Sequence, residues 1–92
     1  MPIEFDDTKS AKNKADPSRG FGLGKAADFE WGSCVTFPDD REDYGEIRLI
    51  SIGFIQQRLH VVVWTRRGHV TRIISLRKAN QREVKYYETQ KN

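Results

Sequence analysis

The sequence predicts an α+β domain: a small antiparallel sheet with helices on one face, in the order β-α-α-β-β-β-α. Three observations lead there. β-branched and polar residues alternate with period two from residue 46 to residue 76, as in half-buried strands. Residues 8–31 lack that alternation and are broken midway by Pro17 and glycines, which reads as two helices around a stop. A charged, helix-prone stretch, "ANQREVKYYETQK", closes the chain. With 92 residues, 37% of them hydrophobic and 32% charged, residues 1–92 are expected to form a single domain with a modest core under a charged surface.

Each element has a local cause. "PIEFD" is an opening strand with Ile3 and Phe5 on one face. Asp6 or Asp7 supplies an N-cap for a helix through "TKSAKNKA", which is short because almost none of it is apolar. "DPSRGFG" ends that helix. A second helix is predicted through "LGKAADFEW", where Leu23, Ala26, Ala27, Phe29, Glu30 and Trp31 fall on nearly successive turns. "TFPDDREDYG" reads as an acidic loop. "EIRLISIGF", "RLHVVVWT" and "VTRIISL" are the three strands, joined by "IQQR" and by "RRGH", a turn built on Gly68. The closing helix is expected to send Val84, Tyr87 and the adjacent Tyr86 toward the core.

Two-residue turns fix a register. With Gln56-Gln57 as one turn, Phe54 lies opposite Leu59, Ile52 opposite Val61, Ile50 opposite Val63 and Arg48 opposite Thr65. With Arg67-Gly68 as the other, Thr65 lies opposite Val70, Val63 opposite Arg72, Val61 opposite Ile74 and Leu59 opposite Leu76. Opposed residues share a face. One face then gathers Ile50, Ile52, Phe54, Leu59, Val61, Val63, Ile74 and Leu76 as core, with Glu46, Arg48 and Arg72 at its end. The other gathers Leu49, Ser51, Gly53, His60, Val62, Trp64, Arg66, Thr71, Ile73 and Ser75, a mixture too apolar for a solvated face. Such a surface is expected to bind a partner.

Composition excludes several classes. Cys34 is the only cysteine, so neither an intrachain disulfide nor a cysteine-based zinc cluster is available. The longest apolar run, "VVVW", is strand-sized, and no signal-peptide pattern is present; a cytoplasmic, membrane-free location is expected. His60 and His69 lack companion carboxylates at metal-ligand spacing, and "RGFGLG" is no phosphate loop; no metal and no cofactor are expected. The net charge of +3 hides a division: residues 1–45 sum to −4 and residues 46–92 to +7. The basic half could attract a polyanion, or the two halves could neutralise each other in the fold.

What remains is arginine. Guanidinium groups bind phosphate bidentately and stay charged at any accessible pH, which is the chemistry that RNA cleavage without a metal requires. Arg48 and Arg72 are expected to flank the central strand closely enough to share one phosphate. Glu46 is either a base for the 2′-hydroxyl or an ion-pair partner of Arg48. Arg66, Arg77 and Lys78 form either a solvated surface or a backbone-phosphate track. Trp64 either packs or stacks a base.

The run "YGEIRLISIG", "RLHVVVWTRRG", "TRIISLRKANQREVKYY" resembles the BrnT family, the toxin halves of bacterial type II toxin–antitoxin modules. "IEFD" and "GKAADFEW" fit its front end. The family's Lys-His-Gly between the helices is replaced here by "PSRGFG", so Arg19 would have to stand in for the histidine. The resemblance implies a RelE-like fold, metal-independent endoribonuclease activity that arrests growth, neutralisation by a BrnA-type antitoxin, and contact with promoter DNA only through that antitoxin. It carries over Glu46, Arg48, Arg67, Arg72, Ser75, Arg77 and Tyr87. On this reading Arg48, Arg72 and Arg77 bind the phosphate, Glu46 and Tyr87 transfer protons, and Arg66, Arg67, Ser75 and Lys78 contact RNA. The antitoxin would cover Val62, Trp64 and Ile73. A non-catalytic module acting as an antitoxin-binding corepressor or an RNA-binding partner is the alternative.

Overall fold

The three strands predicted from the alternation form, the first of them beginning at Leu49 instead of Glu46. In the computed structural model, which describes residues 2–91, they are β3 (Leu49–Ile55), β4 (Arg58–Arg67) and β5 (Val70–Lys78). Two further strands complete a five-stranded mixed sheet. β1 (Ile3–Phe5) runs parallel to β5, β2 (Val35–Pro38) runs antiparallel to β3, and the order is β1-β5-β4-β3-β2. β2 lies partly within the stretch read as an acidic loop. Its four residues, ending in a proline, are too short for alternation to distinguish them from coil.

The helices differ from expectation in kind and in placement. α1 (Asp7–Ala15) is capped by Asp6, whose carboxylate accepts from the Lys9 amide at 3.0 Å. Lacking an apolar stripe, α1 is tied down by polar bonds. Ser10 Oγ accepts from the Leu23 amide (2.8 Å), and buried Asn13 donates to the Phe21 carbonyl (2.7 Å). The second predicted helix is instead two 3-10 segments, Leu23–Asp28 and Trp31–Ser33. Its continuation is broken because the backbone is drawn to the sheet: Phe29 bridges Ile55, and the Glu30 amide donates to the Phe54 carbonyl at 2.9 Å. α2 (Gln81–Lys91) begins with a reciprocal capping box between Asn80 and Glu83, with both amide-to-side-chain bonds at 2.9 Å.

The sheet is therefore covered on both faces. The 3-10 segments bury Leu23, Ala26 and Phe29 against Val62, Ile73 and Leu76 on one face. On the other, α2 lays Tyr87 and Val84 against Ile52, Leu59, Val61 and Phe54. The face expected to await a partner is thus an internal core. Val62 and Ile73 are fully buried, so neither is open to an antitoxin, while Trp64, partly buried, packs edge-on against Trp31 and donates to Ser51 Oγ at 2.8 Å. Gly53 shows how closely this layer approaches: a Cβ there would lie 2.7 Å from the Phe29 ring and 3.0 Å from Cys34 Cβ.

The β3–β4 register is as predicted, with Phe54 opposite Leu59, Ile52 opposite Val61 and Ile50 opposite Val63. Gln56 takes the left-handed conformation (φ 56°) in the turn between them. The β4–β5 register differs. Gly68 and His69 form the turn, with Gly68 at φ 63°, so that Arg67 faces Val70 and Thr65 faces Arg72. Beyond Trp64–Ile73 a β-bulge leaves Ile74 without an opposite number, and pairing resumes at Val63–Ser75. One extra residue inverts the pleat. Leu76 turns to the 3-10 side, opposite Val62, while Ser75 and Arg77 come onto the α2 side, opposite Val63 and Val61.

His60 is buried among the 3-10 side's residues, edge-on to Phe21, and its Nδ1 donates to the Arg58 carbonyl at 2.8 Å. Burial, opposed by that hydrogen bond and reinforced by the cations of Arg58, Lys78 and Lys25, holds the imidazole below its ordinary pKa. The unfolded chain therefore binds the proton more readily. Stability is full above about pH 6.5 and falls as pH drops from there toward the folded-state value, with a slope of at most about 1.4 kcal/mol per pH unit. Thermal melts between pH 7.5 and 5 should show this decline, and His60→Gln should flatten it.

Candidate phosphate-binding cleft

α2 covers only one end of its face of the sheet. Beyond it lies a cleft of about 440 Å³ floored by Ile50, Val61, Val63 and Ile74. Four arginines from different parts of the chain line it: Arg19 from the loop after α1, Arg41 from the loop after β2, Arg48 just before β3, and Arg77 on β5. Phe37, Ser75 and Glu83 complete the wall. The bulge at Ile74 is what brings Ser75 and Arg77 to this side.

The four guanidinium groups are held differently. Arg77 is gripped by both oxygens of Glu83 at 2.8 Å each, and Glu83 is itself fixed by the α2 cap. The Arg77 guanidinium keeps the Glu83 carboxyl below its usual range. Arg41 is likewise bidentate on Asp39 (2.7 and 2.8 Å), whose carboxylate has no exposed surface and is held below its usual pKa by that contact. Arg48 engages Glu46 through Nε alone, at 3.5 Å, and lies 3.9 Å above the Tyr44 ring. Arg19 gives Nη1 to Asn13 at 2.6 Å and stands 3.9 Å from Asp16. Arg41 and Arg77 are thus braced cations. Arg19 and Arg48 keep guanidinium edges uncommitted among the described residues, and those edges suit a phosphate oxygen.

Arg19, Ile74 and Ser75 also wall a second hollow, of about 300 Å³, that continues past Lys9 and Lys12 of α1. It lies alongside the later part of β5, because the described pairing with β1 stops at Ile73.

The other sequence candidates fall elsewhere. Arg72 pairs with Glu4 of β1 at 3.2 Å and does not line the cleft. It and Arg48 are each ion-paired yet about a quarter exposed, 27% and 26%, so neither is sealed from solvent; they do not share one anion pocket. Tyr87 is buried against Phe54, and its hydroxyl donates to the Ser33 carbonyl at 3.2 Å; it packs the core instead of facing the cleft. Tyr86, expected in the core, is 41% exposed. Glu46 does not line the cleft itself; it bridges Arg48, which does, and Arg67 at 3.5 Å each. Arg66 and Lys78 are exposed, and their register partners, Thr71 and His60, belong to the face away from the cleft. Arg41 went unrecognised because "PDDREDYG" reads as a solvated acidic loop. The one available signal was the two-residue spacing between Asp39 and Arg41.

Among the described residues no three His, Cys, Asp or Glu side chains are grouped to hold a metal ion, and no helix is long and apolar enough to cross a membrane. The part of the sheet that α2 leaves uncovered thus converges four arginines, residues whose chemistry suits a phosphate group. Residues 5–83 match the family described as "Ribonuclease toxin, BrnT, of type II toxin-antitoxin system", and the chain belongs to that family. Comparison with curated proteins and with solved structures returns no match. Family membership implies ribonuclease activity, an RNA target and an antitoxin partner.

Proposed function

We propose that this chain is a metal-independent endoribonuclease that arrests growth in the cytoplasm and is neutralised by a BrnA-type antitoxin, with a fold related to the RelE-like ribonucleases. The observation that carries the reading is the arginine cleft, found in a chain of a ribonuclease toxin family. The scissile phosphate sits between Arg48 and Arg19, while Arg41 and Arg77, each fixed by its own carboxylate, frame the cleft without moving. The ribose 2′-oxygen attacks phosphorus as its proton passes to the Glu46 carboxylate. The bond from phosphorus to the 5′-oxygen breaks, and that oxygen takes a proton from solvent. The guanidinium groups stabilise the charge that accumulates on phosphorus between the two events. The hollow past Lys9 and Lys12 receives a neighbouring phosphate.

The test is incubation of the purified chain with single-stranded RNA in excess chelator. Cleavage leaving 2′,3′-cyclic phosphate ends, and absent from a strand with a 2′-deoxy sugar at the scissile position, is the expected result. Cleavage that requires an added divalent cation would overturn metal independence. One observation favours a second reading, a non-catalytic module that binds RNA or an antitoxin: each cleft arginine already has a carboxylate within 4 Å on its own chain. On that reading the same RNA is bound and stays intact.

A further inference from the structure

The cleft has an apolar neighbour. Phe37 of β2, Ile52 of β3 and Tyr86 of α2 enclose a hollow of about 380 Å³, with Arg82 and Glu83 at its rim. Its floor, Ile52, is buried, while the Tyr86 ring stands edge-on to Phe37 at 5.5 Å and is 41% exposed. Phe37 and Glu83 line both this shelf and the arginine cleft, so the two adjoin. An aromatic ring left at the mouth of an apolar hollow is a preferred anchor for a protein partner.

We propose that the shelf and the cleft together form the docking surface for the antitoxin, which seats an apolar or aromatic side chain between Phe37 and Tyr86 and directs nearby carboxylates toward Arg48 and Arg19. The proposal rests on the family's antitoxin partnership and on reading the cleft as the RNA site. Charge complementarity selects the occupant, since Arg19 and Arg48, each held only loosely by its own carboxylate, turn uncommitted guanidinium edges to a cleft whose one lining carboxylate, Glu83, is already taken by Arg77. An acidic segment with one apolar anchor matches this surface in both respects. The same guanidinium edges cannot hold its carboxylates and an RNA phosphate together, so docking here blocks the nuclease by direct competition.

The experiment measures the affinity of the purified chain for the antitoxin of its own module by calorimetry, beside RNA cleavage in the antitoxin's absence. Tyr86→Lys is expected to weaken the complex by tenfold or more while free-chain cleavage stays within about twofold of the unaltered rate, and the complex should loosen as salt rises. Should Tyr86→Lys fail to fold, Tyr86→Ser removes the same ring without adding charge and should show the same loss. Affinity unchanged in the folded variant overturns the proposal. So does a variant that loses RNA affinity but keeps the antitoxin's, which would make the shelf a base-stacking platform, or one that dissolves a dimer of this chain but binds antitoxin normally. Because binding is read directly, a chain that never cuts RNA yet loses the antitoxin through Tyr86→Lys would sink the nuclease reading alone.

Discussion

Arg48→Ala is expected to slow RNA cleavage by about 10²–10³ while leaving the fold intact, the loss typical of removing one well-placed stabiliser of a charged transition state. The structural cost is small, because among the described residues its carboxylate contact is a single 3.5 Å approach to a partly exposed Glu46, and pairs of that kind contribute roughly 0–1 kcal/mol. Arg48→Lys should recover little of the rate, since an ammonium cannot offer two parallel donors to one phosphate. Arg72→Ala serves as the contrast. Its guanidinium faces Glu4 outside the cleft, so cleavage should stay near the unaltered rate. Cleavage rates of the three variants, read beside their circular dichroism spectra, decide the matter. Equal rates for Arg48→Ala and the unaltered chain would remove the phosphate role from the cleft.

The second large effect is on stability. Val62 has no exposed surface and lies between Leu76 and the 3-10 segments. Val62→Asp places a carboxylate there with no cation to meet it, at a cost of about 3–5 kcal/mol. Domains of this size melt about 4–8 °C lower per kcal/mol lost, so a fall of more than ~12 °C in Tm, or an unfolded product, is expected. A thermal melt followed by circular dichroism reads this directly. Had the face carrying Val62, Trp64 and Ile73 been a docking surface, the same variant would fold normally and lose only its partner.

These two variants fall on opposite sides of what sequence reasoning could reach. Alternation over residues 46–76 located three strands, and the Gln56-Gln57 turn gave the β3–β4 pairing correctly, because a two-residue turn leaves little freedom in register. The Asp6 cap was equally local. Arg48 and Arg77 were singled out as candidate phosphate ligands by residue chemistry and by likeness to a family pattern, and both line the cleft. The error of register has one origin. Parity along β5 was carried through Ile74 as if the strand were regular, which placed Leu76 and Ser75 on the wrong faces.

The amino-acid sequence by itself determined the strands, the caps, the charge division and the family pattern, since each depends on residues close together in the chain. Only the tertiary structure decided where the bulge falls, that both faces of the sheet are covered, and that Arg19 and Arg41 reach across from separate loops to join Arg48 and Arg77. Those outcomes depend on how the 3-10 segments fit over Gly53 and on which face each apolar side chain can bury. Such choices arise from competition between surfaces far apart in sequence, and no local period records them.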